Sequence, residues 1–268
     1  MPSVTQRIGQ IKQPRGGYIK PSEFTAIQFQ DGRQMYDTDA RKWAARSGLV
    51  VDYLSRWLYC GVDKHEAFDI SLMGAKIAQV AKPDVPFVQI AENLLSNIVQ
   101  PLTDYNSVVS ALKLVGFDVF FRTPEILQQP YEKKEEEVVP VEVVRNIQIM
   151  LIRSHIFFDT LTRHTGSFLI SECTFEGGYT ATVDSGDGDF CSADTLWDMK
   201  CIKGEITPRY TLQILMYYIM GVHSVHSFYR DLKFLGFWNP YLNKLYKLSI
   251  SSINPSIIEA VSKDVICY

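Results

Sequence analysis

The stretch Thr182–Gly221, TVDSGDGDFCSADTLWDMKCIKGEITPRYTLQILMYYIMG, restricts the possible folds more than any other part of the chain. It spells two strands that double back, a loop, and a helix with a polar stripe. Leu196, Trp197, Asp198, Met199 and Lys200 alternate in character. Asp198 and Lys200 therefore share one strand face, and Trp197 and Met199 share the other. Asp194 tolerates turn geometry and Ser192 and Thr195 flank it, which places a tight reversal at Ala193-Asp194. That turn sets Asp189 across from Asp198 and Asp187 across from Lys200. Facing residues of an antiparallel pair point to the same side, with Cβ atoms roughly 5 Å apart. Two carboxylates and an ammonium then converge on one patch. Carboxylates that close repel unless a proton, a cation or water intervenes. A divalent metal bound by hard oxygen ligands is the arrangement that also does chemistry.

The helix that follows is predicted to start at Thr207-Pro208, a capping oxygen followed by Pro at the first helical position, and to stop at Gly221. Along it Arg209, Gln213 and Tyr217 fall at i, i+4 and i+8, while Leu212, Leu215 and Ile219 line another face. Asp189, eight residues, Asp198-Met199-Lys200, then a helix with Gln213-x-x-x-Tyr217 together resemble the PD-(D/E)xK nuclease superfamily, and within it the RecB-like branch. The resemblance covers about 40 residues by motif and extends, by element order, over roughly 141–268. Gly188 stands where the family has Pro. Asp184, Asp187 and Asp189 compete for the first acidic role; strand pairing favours Asp189, and a one-residue slip would reassign it.

This resemblance implies a restriction-endonuclease-like core of α/β (mixed α+β) class, with a central mixed sheet flanked by helices and a mostly helical region before it. It implies Mg²⁺, with Mn²⁺ able to substitute, held by Asp189 and Asp198 and completed by the Met199 carbonyl. Lys200 would be the catalytic amine, with Gln213 and Tyr217 supporting it. Arg209 and Lys203 are candidate nucleic-acid contacts. A helix ahead of the strands often supplies a metal-binding Glu in this family. Glu142 is the acid available there, but a favourable interaction with the helix dipole explains its position equally well. DNA is the implied substrate, with RNA left open.

Bulk properties set no contrary limit. The chain has 268 residues, 46% hydrophobic and 21% charged, which argues against disorder. A net charge of −3 announces no nucleic-acid partner globally. Locally, residues 200–247 hold seven Lys/Arg against two acids, and residues 1–20 hold four basic residues and no acid. Such stretches either contact phosphates or form solvated surface. Five cysteines without a C-x-x-C read as reduced thiols of a cytoplasmic protein, and their spacing does not fit an iron–sulfur cluster. No apolar run reaches the roughly 20 residues that span a bilayer, so no membrane association is expected.

Periodicity predicts residues 1–22 as an extended basic arm, a short strand at 26–30, and helices over 39–59, 67–80, 87–99 and 103–114. An extended aromatic piece follows at 117–121. The run PEILQQPYEKKEEEVVP, residues 124–140, reads as a linker. That divides the chain near residue 135 into a helical accessory region, 1–135, suited to recruiting a protein partner, and a nuclease-like core, 136–268. In the core a long helix over 141–162 precedes strands at 168–175, 179–191 and 195–202. A strand pair at 234–238 and 244–250 and a helix at 255–265 follow the Gln/Tyr helix. Two functions come out: a metal-dependent nuclease of DNA processing, repair or defence against phage or mobile DNA, or an inactive nuclease-fold scaffold. Retention of Asp189, Asp198 and Lys200 together favours the first.

Overall fold

The computed structural model describes residues 2–38, 40–128, 136–165 and 170–268. In chain order they form α1 (Val4–Gln10), β1 (Thr25–Gln28), α2 (Ala40–Tyr59), α3 (Lys64–Ala67), α4 (Asp69–Ala81), α5 (Phe87–Ser96), α6 (Tyr105–Leu114), α7 (Asp118–Arg122), α8 (Val141–Thr165), β2 (Ile170–Cys173), β3 (Gly188–Cys191), β4 (Thr195–Met199), α9 (Pro208–His223), β5 (Phe234–Asn239), β6 (Lys244–Ser249) and α10 (Pro255–Ala260), the last continued by a π-helical stretch at Val261–Ile266. Among these elements no helix is long and apolar enough to cross a membrane.

The chain forms two compact units, Met1–Gln30 with Asp159–Tyr268, and Asp31–Phe158. These units differ from the expected division into 1–135 and 136–268. The cause is β1, which pairs antiparallel with β6, Thr25 opposite Lys247 through Gln28 opposite Lys244, and so commits the start of the chain to the sheet of its C-terminal half. Part of the expected linker, residues 129–135, lies outside the described residues, as does the predicted start of the 168–175 strand.

The first unit holds a six-stranded mixed sheet in the order β1-β6-β5-β4-β3-β2 with helices against it. β4 and β5 run parallel, joined through α9, and every other neighbour pair is antiparallel. A parallel pair needs such a crossover connection, and a helix supplies it. All five residues of β4 are buried, as expected for a strand covered on both faces. Leu212, Leu215 and Ile219 of α9 pack into one core with Phe175, Leu235, Phe237 and Val265.

Several local expectations are corrected. The supposed extended arm begins with α1, because Ser3 and Gln6 form a capping box: Ser3 Oγ accepts from the Gln6 N–H at 3.3 Å, and Gln6 Oε1 accepts from the Ser3 N–H at 2.9 Å. Residues 118–122 are helical, not extended, since Phe117 and Phe120 at i, i+3 both pack edge-on against Phe87, at 6.2 and 5.9 Å. β3 covers four residues, not thirteen. Before it the chain is turned by the Thr180 hydroxyl, which accepts from the N–H groups of Thr182 and Val183 at 3.2 Å each.

The unit Asp31–Phe158 is helical and organised around buried polar groups. Asp118, 2% exposed, accepts from Ser71 Oγ at 2.5 Å and from Tyr53 OH at 2.6 Å. Burial drives its pKa up despite those donors. Asp31 is clamped by Arg153, whose Nε and Nη2 donate at 2.9 and 3.1 Å while Nη2 also reaches the Arg33 carbonyl at 2.9 Å. The Arg153 hydrogen bond is the main cause that pulls the Asp31 pKa from 3.8 down to about 2. A depressed carboxylate stabilises the fold fully above its unfolded pKa and loses that contribution as pH falls through the folded value. After discounting for solvent screening this is about 1–2 kcal/mol. Urea unfolding should therefore show wild type losing stability relative to Asp31→Asn between about pH 4 and pH 2. Parallel profiles for the two proteins over that range would remove the assignment.

Candidate active site

β4 is the strand on which the site is built. Lys200, one residue past its end, continues the pairing through its N–H, which donates to the Trp238 carbonyl at 2.8 Å. Asp198 and Lys200 lie on one side, the ammonium Nζ 2.7 Å from Asp198 Oδ2. Trp197 points the other way, stacked on Phe190 with centroids 6.2 Å apart.

β3 pairs with β4 in the register Phe190 opposite Trp197 and Cys191 opposite Leu196. Continued one step, this register runs to Asp189 and Asp198, the pair expected from the spacing. The regular ladder is replaced there by a side-chain bond: Asp189 Oδ2 accepts from the Met199 N–H at 2.6 Å. Asp189 thus ties the two strands where both acidic side chains emerge.

α9 closes the patch. Gln213 bridges, its Oε1 accepting from Lys200 Nζ at 3.1 Å and its Nε2 donating to Tyr217 OH at 2.8 Å. Tyr217 is 6% exposed and stacks on Phe175, centroids 5.3 Å apart. Four of the five expected central and supporting residues are thereby joined by direct hydrogen bonds or ion pairs, and Asp189 joins them through the Met199 amide. The helix begins at Pro208 as predicted, but Thr207 makes no capping bond with its side chain, and the helix runs past Gly221 to His223.

The electrostatics link the same groups. Burial works to lower the Lys200 pKa, but the charges of Asp198 and Asp189 outweigh it and leave the group raised above its usual value. Lys200 is therefore an ammonium at neutral pH. Burial pushes the Tyr217 hydroxyl far up, and the charges of Asp198, Asp189 and Asp187 add to this. Asp187, exposed at the rim, is thus electrostatically linked to the same centre.

Other expected residues are placed elsewhere or only near. Arg209 is exposed and donates to the Thr5 carbonyl at 3.3 Å. Lys203, also exposed, lies 6.0 Å from the centroid of the Tyr241 ring. Asp184 accepts from the adjacent Ser185 hydroxyl at 3.4 Å. Glu142 sits in the first turn of α8, in the unit Asp31–Phe158. Two residues escaped the sequence reading. Tyr210 covers the Lys200 ammonium, 5.0 Å from ring centroid to Nζ, and its position three residues before Gln213 on the same helix was the available signal. Phe175 had no such signal, because it reaches Tyr217 only through tertiary packing.

Among the described residues no group of three or more His, Cys, Asp or Glu side chains is arranged to hold a metal ion. The acidic set at this site is narrower: the two carboxylates of Asp189 and Asp198. Hard oxygen donors of this number suit Mg²⁺, which keeps several of its waters and is commonly held by one or two carboxylates. Asp198, 1% exposed, is ion-paired with Lys200, and the charge of Asp189 acts on the same ammonium, so carboxylate charge exceeds ammonium charge within the trio. These residues fit a divalent cation. No protein-family model matches the chain, and neither the curated proteins nor the solved structures contain a match to it.

Proposed function

We propose that the chain is a divalent-metal-dependent nuclease that hydrolyses DNA phosphodiester bonds, of the PD-(D/E)xK type and its RecB-like branch. The observation that carries the proposal is the meeting of Asp189, Asp198 and Lys200 on one patch, with Gln213 and Tyr217 holding the lysine from α9. The succession β2–β3–β4–α9–β5, with β4 parallel to β5, supports a restriction-endonuclease-like core. Five cysteines without a disulfide among them suit a reducing cytoplasm, where such an enzyme would process, repair or degrade DNA.

Hydrolysis of a phosphodiester needs a water in line with the leaving oxygen and relief of the charge that builds on the phosphate. Asp189 and Asp198 would hold Mg²⁺, or Mn²⁺ in its place, with the Met199 carbonyl. When bound, the ion supplies Lewis-acid polarisation of the phosphate and lowers the pKa of water. Lys200, kept as an ammonium by its two carboxylate neighbours, orients the attacking water and stabilises the developing negative charge. Gln213 directs that ammonium and is itself held by Tyr217, whose ring stacks on Phe175. Arg209 and Lys203, exposed and cationic, would contact the nucleic-acid backbone.

The test is incubation of the purified protein with linear, circular and single-stranded DNA, and with RNA, under Mg²⁺, Mn²⁺ or EDTA. Cleavage with either metal and none in EDTA is the expected result. Cleavage indifferent to EDTA would defeat the proposal. Binding without cleavage under every metal would favour the scaffold alternative instead.

A further inference from the structure

We infer that Val4 is a positioning residue for the acidic loop of the site, an inference that rests on reading the site as a nuclease centre. The loop 184–187 leads directly into Asp189 and contains Gly186, followed by Gly188 at the start of β3, so by itself it is pliable. Residues 2–4 run alongside it. The Asp184 N–H donates to the Pro2 carbonyl at 3.3 Å, the Val4 N–H donates to the Ser185 carbonyl at 2.9 Å, and Ser3 and Ser185 form a parallel bridge. Gly186 adopts φ +151, open to glycine and strained for other residues, and a Cβ there would lie 2.8 Å from Val4 Cγ2 and 3.5 Å from Tyr217 Cε1. Val4 and Tyr217 therefore both crowd the space next to the Gly186 Cα, Val4 the more closely. Tyr179 also holds the loop, its OH donating to the Gly186 carbonyl at 3.0 Å.

The strap is itself anchored. Val4 is 1% exposed, and the capping box at Ser3 sets the direction in which α1 leaves it. Arg7 Nε donates to the Val265 carbonyl at 2.8 Å, and Thr211 Oγ1 of α9 donates to the Ile19 carbonyl at 2.7 Å. A residue anchored in this way can set the approach of Asp187 and Asp189 to the cation site without touching substrate. Loop geometry of this kind is worth more than its contact area, because small misplacement of a ligand weakens the site.

Val4→Ala is compared with Ile8→Ala, which removes more buried hydrocarbon one turn later in α1 but is not among the atoms nearest Gly186. Hydrogen exchange and Mn²⁺ binding by calorimetry are read on the full chain. In wild type the amides of Val4 and Asp184 should be protected. Val4→Ala should speed their exchange about tenfold and weaken Mn²⁺ about fivefold, while Ile8→Ala lowers the melting temperature and leaves Mn²⁺ affinity in place. Equal effects of the two variants on Mn²⁺, or an unprotected Asp184 amide in wild type, would overturn the inference. Wild type that neither binds Mn²⁺ nor cleaves DNA would instead sink the nuclease reading, and the exchange pattern alone would then decide whether the strap holds the loop.

Discussion

Lys200→Ala should lower single-turnover DNA cleavage by about 10²–10³-fold while Mn²⁺ binding stays equal or tightens. The two readouts move apart because Lys200 has two relations to the acidic pair. Its ammonium stands 2.7 Å from Asp198 Oδ2 and is held there by Gln213 at 3.1 Å, so it competes with any cation for that carboxylate. It is also the one cationic group in the trio able to turn toward a phosphate. Removing it relieves the competition and abolishes the charge stabilisation. If Asp198 and Lys200 were only a surface-type ion pair, the change would cost at most about 1 kcal/mol of stability and nothing in rate. Because Asp198 is buried, melting curves with and without Mn²⁺ must accompany the assay to establish that the variant is folded. Cleavage that persists equally in the variant would identify a contaminant and end the assignment.

The site was legible because its information is local. A two-residue reversal fixes the register that sets Phe190 opposite Trp197, and a period of two puts Asp198 and Lys200 on one face. The i, i+4 spacing of Gln213 and Tyr217 likewise gives their hydrogen bond without reference to the rest of the chain. What failed to be legible is non-local. Nothing in residues 25–28 announces that they close the far edge of a sheet whose partner strand begins at Lys244. The S-x-x-Q capping box at Ser3 was present in the sequence, but the nearby Pro and Gly residues made the segment read as an arm. Phe117 to Phe121 looked extended because aromatic clusters favour strands, and packing against Phe87 decided for a helix.

Glycine gives the last expected result: Gly221→Ala should destabilise the sheet-bearing unit by about 3 kcal/mol, and Gly9→Ala should stabilise it slightly. Both residues lie inside helices, so propensity alone favours alanine at either position by roughly 1 kcal/mol. The surroundings reverse one of the two signs. A Cβ at Gly9 meets nothing within 4 Å, whereas at Gly221 it would lie 2.5 and 2.6 Å from Cγ and Cε1 of the Tyr229 ring. Tyr229 is 0% exposed and its hydroxyl donates to the Thr174 carbonyl at 3.0 Å, so the ring has neither space nor freedom to withdraw. The strain must pass into α9 itself, the helix that carries Gln213 and Tyr217. Gly221 has the residue type of a helix stop, yet α9 continues to His223, and the residue is glycine because a helix and an aromatic ring approach closely there. A thermal midpoint lower by roughly 5–10 °C for Gly221→Ala, beside an unchanged or higher one for Gly9→Ala, is the measurement to make. An equal response of the two variants would mean that the ring yields and that the contact does not fix the helix.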